Sequence, residues 1–101
     1  MIPKVSILVP VYNASASIER CAHSLFKQTF QDIEYVFIND CTSDDSIEKL
    51  QKIIAQYPHR KSWIKIIHHE RNRGVAAARI TAIDHSTGNY IFVQKEKMRI
   101  L

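Results

Sequence analysis

A chain of 101 residues with 14 Lys and Arg against 10 Asp and Glu carries a net charge of +4, and 46% hydrophobic with 24% charged residues is a globular composition. That length holds one domain able to bury roughly two thirds of its unfolded surface, which argues against wholesale disorder. No apolar run approaches the roughly 18 residues of a membrane span, Met1-Ile2-Pro3-Lys4 lacks a signal peptide's order, and Cys21 and Cys41 are too few and too far apart for a disulfide framework or a zinc site.

Val5 to Val11 is an apolar, β-branched run that suits a buried strand stopping at Pro10. Ser15 or Ser17 then caps a helix in which Ile18, Cys21, Ala22, Leu25 and Phe26 form an apolar stripe. Ile33 to Asn39 is a second strand, ending in the polar cluster Asp40 to Ser46. Ser43 or Asp44 caps a second helix striped by Ile47, Leu50, Ile53, Ile54 and Tyr57 until Pro58 stops it. Trp63 to His68 is a short strand. Gly74 introduces an alanine-rich helix running to about Ser86, Gly88 supplies its stop, and Tyr90 to Val93 is the fourth strand. Strands alternating with helices predict an α/β fold with a mainly parallel sheet and flanking helices.

Ligands of such sheets bind beyond the carboxyl ends of the strands. Those ends are polar here: Tyr12-Asn13, then Asn39 to Asp44, then Glu70 to Gly74. An aspartate at 40 can accept a hydrogen bond from a base N–H, and Tyr12 can cover a ring face. With only Gly74 and Gly88 in the chain, neither GxGxxG nor GxxxxGK exists. The basic residues are scattered, so no nucleic-acid partner is expected.

Val9-Pro10-Val11-Tyr12-Asn13, Asn39-Asp40-Cys41-Thr42-Ser43-Asp44-Asp45-Ser46, Asn72-x-Gly74-Val75-x3-Arg79 and Gly88-x-Tyr90-Ile91 together resemble the family 2 glycosyltransferases, from about Lys4 to Val93. The resemblance implies a Rossmann-like GT-A nucleotide-binding subdomain over 1–93, truncated, followed by an atypical tail at 94–101. It implies that Pro10, Tyr12 and Asn13 line a nucleotide pocket, that Asp40 bonds the uracil of a UDP-sugar, and that Asn72, Gly74 and Arg79 complete the wall. The family's reaction passes a sugar from such a donor to a saccharide or lipid acceptor, with inversion, in the cytoplasm or at the cytoplasmic face of the membrane. Cys41 stands where the family commonly has Gly, and Ile80 where it commonly has Asn.

The family follows its Gly-x-Tyr-Ile strand with Asp-x-Asp, which holds Mn²⁺ or Mg²⁺ on the diphosphate. Here those positions are Lys95-Glu96-Lys97. The metal expected of full-length members therefore lacks its site, no catalytic base can be named, and the chain is expected to be an incomplete, inactive fragment. A non-catalytic nucleotide-binding or assembly module, self-associating through a sheet edge, is the alternative. Beside these stand plainer readings: Asp40 as a turn or helix cap, Asp44 and Asp45 as first-turn charge of the second helix, His68-His69 as a solvated strand end, and Arg71, Arg73 and Arg79 as exposed charge or diphosphate contacts. A response-regulator-like domain would need an acidic cluster after the first strand, and none is there.

Overall fold

The computed structural model describes residues 3–93; the tail 94–101, with Lys95-Glu96-Lys97, lies outside them. Each apolar run of the sequence becomes a strand: β1 (Val5–Val11), β2 (Ile33–Asn39), β3 (Ile64–His68) and β4 (Tyr90–Val93). Between them lie α1 (Ile18–Phe26), α2 (Ser46–Ile54), α3 (Pro58–Lys61) and α4 (Val75–His85). The strands form one sheet in the order β3-β2-β1-β4, every pairing parallel. The α/β expectation is met, and β1 and β2 are buried on both faces, as strands sandwiched between helix layers must be.

Alternate side chains of β1 and β2 face opposite layers. Ile7, Val9, Val11, Tyr35 and Phe37 pack with the stripes of α1 and α2, while Leu8, Val36 and Ile38 pack under Ala78 and Ala82 of α4. All five predicted apolar positions of α1 are buried. Small alanines on α4 let that helix lie close on the sheet. Complete burial of a Leu, Ile or Phe contributes about 1.5–3 kcal/mol, so these two layers carry the fold.

Four local expectations are corrected. β1 does not stop at Pro10 but continues through Val11, paired Pro10 to Ile38; β4 accompanies only Val5 to Leu8, so the missing N–H of Pro10 costs no described bond on that side. The second helix begins at Ser46 after Asp45, later than a Ser43 or Asp44 cap would place it, and ends at Ile54. Pro58 does not merely stop it: proline at the first helical position starts the separate turn α3. Gly88 is not the stop of α4, which ends at His85 with Ser86 extended. Its requirement is closeness to β1, because a Cβ there would sit 2.6 Å from Ser6 Oγ and 2.7 Å from Ser6 N.

Two buried charges fasten the amino end of the sheet. Glu34 accepts from Ser6 Oγ, Thr87 N and Thr87 Oγ1, each at 2.9 Å, and pairs with Lys65 Nζ at 3.1 Å. Burial pushes its carboxyl up, but the Thr87, Lys65 and Ser6 bonds outweigh that and hold it below the usual range. Arg60 of α3, 1% exposed, donates to the carbonyls of Phe26, Gln28 and Gln31 at the end of α1 and in the loop after it. β4, in contrast, exposes Tyr90, Ile91, Phe92 and Val93, on both faces of the sheet. Among the described residues no helix is long and apolar enough to cross a membrane.

Candidate nucleotide-binding site

The order β3-β2-β1 brings three loops side by side at the carboxyl end: 12–17 after β1, 40–45 after β2 and 69–74 after β3. The positive-φ positions of the described residues all fall there, at Asn13 (51°), Cys41 (58°) and Gly74 (89°). Asn and Gly tolerate that region, whereas Cys41 occupies it at a strain of order 1 kcal/mol, held by its surroundings.

Asp40 is the centre of this end. Ile38 faces α4, so by the two-residue period Asp40 does too. Its Oδ1 accepts from His69 Nδ1 at 2.8 Å and from Arg73 N at 2.9 Å, and its Oδ2 accepts from Gly74 N at 2.9 Å. Burial, at 3% exposure, pushes the carboxyl up, but the bonds from His69, Arg73 and Gly74 prevail and hold it below its ordinary value. It is therefore an ionised carboxylate seated at the amino end of α4, where negative charge also suits the helix dipole. Asp40 thus caps the entrance of α4 and not that of the following helix, α2. Of the four acceptor positions of a carboxylate, three are taken.

Asp44 ties the first two loops together, a role the first-turn reading of it missed. It accepts from Thr42 Oγ1 (2.7 Å), Ser46 N (3.1 Å), Ser46 Oγ (2.5 Å) and Ser15 N (3.2 Å). Thr42 Oγ1 in turn accepts from Asn13 N at 3.0 Å, and Ser46 Oγ from Ala14 N at 3.0 Å. Burial raises the Asp44 carboxyl, but the hydroxyl and amide bonds bring it down to about 2 from an ordinary 3.8. A carboxyl lowered on folding stabilises above its unfolded pKa, and the contribution is lost as pH falls through the folded one. The urea midpoint should therefore drop between pH 4 and pH 2, more shallowly in Asp44→Asn; equal slopes would contradict this. Glu34 and Asp40, also held low, keep the variant's slope above zero.

Beside Asp40, His68, His69, Glu70, Arg71 and Arg73 line an open cavity of about 480 Å³. Of the residues singled out by sequence, Asp40 and Gly74 are directly bonded and Asn72 is exposed in the same loop. Tyr12 is half-buried and Asn13 exposed one loop away, and Pro10 is buried inside β1. Arg79 lies exposed on α4, outside the cavity lining and without an ion pair among the described residues. His69 departs from its solvated reading: its side chain is 6% exposed, whereas that of its neighbour His68 projects outward to Asn39. The signal was parity, since 69 shares the face of Ile67, which packs under α4. Among the described residues no three His, Cys, Asp or Glu side chains converge to hold a metal ion. The lysines at 95 and 97, outside the described residues, are cations without a lone pair to give a divalent ion.

The model of the family described as "Glycosyl transferase family 2" matches residues 6–94. The chain is 45% identical over 91 residues to the uncharacterized glycosyltransferase EpsJ of Bacillus subtilis (strain 168), covering 90% of this chain and 25% of that one. Its fold is similar to that of mannosyltransferase PcManGT from Pyrobaculum calidifontis in complex with GDP-Man and Mn²⁺, with a TM-score of 0.86 at 22% identity over 96% of this chain and 28% of that one. It is also similar to S. aureus TarS 1–349 in complex with UDP-GlcNAc, with a TM-score of 0.81 at 26% identity over 93% of this chain and 26% of that one. The chain thus spans about a quarter of the length of these proteins. The fold is that of the GT-A glycosyltransferases, as the sequence motifs implied.

Proposed function

The chain belongs to glycosyl transferase family 2, and from that premise we propose that residues 1–93 form the part of a glycosyltransferase that binds the nucleotide of an activated, UDP-linked sugar bound for a saccharide or lipid acceptor. The observation that carries this reading is the ionised Asp40 carboxylate. It is fixed beside an open cavity with one acceptor position unused, and the exposed Arg71 and Arg73 are ready to meet a diphosphate. A uracil N3–H satisfies that acceptor, Tyr12 and Asn13 flank the ring, and Asn72 and Gly74 belong to the loop of the far wall, while Arg79 stands outside the cavity lining. The exposed, unpaired Cys41 supports a reducing compartment, the cytoplasm or the cytoplasmic face of a membrane.

Lys95-Glu96-Lys97 at the metal positions makes this chain a binder without turnover, and its affinity for UDP independent of metal. Titration with millimolar UDP should raise the melting temperature saturably and equally with Mn²⁺ and with a chelator, following RT ln(1 + [L]/Kd). Absence of any shift would sink the nucleotide reading, and a shift that needs Mn²⁺ would sink metal independence.

The second reading, an assembly module, is favoured by one observation: β4 exposes four consecutive apolar residues at a sheet edge, while the other edge strand carries the exposed Lys65 and His68 that discourage pairing. Sedimentation at rising concentration should show association that Ile91→Lys abolishes. A single monomeric species throughout would remove this reading.

A further inference from the structure

His69 is a buried imidazole held at both ring nitrogens. Its Nδ1 lies 2.8 Å from Asp40 Oδ1 and its Nε2 lies 2.8 Å from Thr81 Oγ1 on α4. Its own backbone N–H donates to Asn39 O at 2.9 Å, so the ring is anchored from β2 as well as from the helix. Asp40 is ionised, and an ionised carboxylate only accepts; the proton between them therefore sits on Nδ1. The Thr81 hydroxyl turns to donate to Nε2 or to accept from it, so the ring stays satisfied on both sides.

The two oxygens of Asp40 are consequently unequal. Oδ1 takes two donors, His69 Nδ1 and Arg73 N, and is full; Oδ2 takes one, Gly74 N, and keeps a lone pair. Without His69 each oxygen would hold a single amide donor, Arg73 N on Oδ1 and Gly74 N on Oδ2, and the vacant acceptor would no longer be confined to Oδ2.

We propose that His69 is a positioning residue: braced by Thr81, it locks the Asp40 carboxylate so that Oδ2 alone presents the acceptor to a nucleobase N–H, and thereby sets the preference for a base with a ring N–H over one without. This rests on the nucleotide reading and deepens it. Uracil offers N3–H, whereas cytosine has a lone pair at the same place and repels the acceptor. The carboxylate makes the contact, but the imidazole decides where it points.

The test is the ratio of CDP to UDP dissociation constants, with melting temperatures alongside, in the wild type and three variants. In His69→Asn the amide nitrogen reaches the place of Nδ1; in His69→Gln it reaches that of Nε2; His69→Ala has neither. The expected result is that His69→Asn keeps the preference for UDP within about twofold. His69→Gln and His69→Ala should reduce it about tenfold, the worth of a hydrogen bond to a charged group. If either of those fails to fold, Thr81→Val preserves the volume on α4, removes the brace, and should reduce the preference about threefold, a fraction of what the direct bond supplies. A purely structural histidine would lower melting temperature and both affinities together with the ratio unchanged, and that result overturns the proposal. Failure of the nucleotide reading is distinguishable, because the wild type itself would then bind neither nucleotide, and the proposal would fall with it.

Discussion

Replacing Arg60 with alanine is expected to lower the unfolding free energy by about 3 kcal/mol or more, and the melting temperature by roughly 15 °C. The guanidinium is fully buried, and it donates to Phe26 O, which the end of α1 leaves without a helical partner, and to Gln28 O and Gln31 O in the loop after it. The Phe26 carbonyl belongs to the negative pole of α1, so it also offsets the buried positive charge. The Tyr35 ring, whose centroid is 5.7 Å from the guanidinium carbon, adds a cation–π contact on the strand side. Alanine would remove all of this at once and leave a cavity. Arg60→Lys should recover less than half of the loss, because one compact ammonium cannot span three carbonyls that a planar fork reaches together. Urea unfolding of the three proteins is the measurement. A loss below about 1 kcal/mol for Arg60→Ala would mean the carbonyls are satisfied by solvent instead.

Asp40→Ala should abolish detectable UDP binding and cost about 2 kcal/mol of stability as well. Both effects have one origin. The carboxylate holds Arg73 N and Gly74 N at the entrance of α4, and its remaining acceptor is the one the proposed nucleotide contact uses. Removing it leaves two amides and the His69 Nδ1–H without a partner in a nearly closed space. Calorimetric titration with UDP, compared with denaturation of the same sample, separates the two. Unchanged UDP affinity in a folded Asp40→Ala protein would remove Asp40 from the binding site and leave it only as the cap of α4.

The strands and α1 were legible because buried parallel strands are written as unbroken β-branched runs and an amphipathic helix as a stripe of period 3.6. Asp40 was legible for a related reason: a charge that ends such a run stands where the sheet meets its ligands. Its partners were not. His69 and Gly74 lie 29 and 34 positions away, and only the folded sheet brings them to it. α3 and Arg60 were hidden because Pro58-His59-Arg60-Lys61 is polar throughout, and nothing local marks one of three basic side chains as the buried one. Glu34 was hidden differently. β2 is apolar on both faces, so no alternation exposes its one carboxylate, although Ser6, its register partner in β1, sits at the same second place in its own run.

The fastenings built on Arg60 and Glu34 stand at the amino end of the sheet, while the three ligand-facing loops stand at the carboxyl end and are cross-tied by their own carboxylates, Asp40 and Asp44. The two ends are therefore fastened by separate sets of residues. Substitutions in loops 12–17, 40–45 or 69–74 can reshape the carboxyl end without touching either fastening, and a change at the amino end can harden the fold without altering those loops.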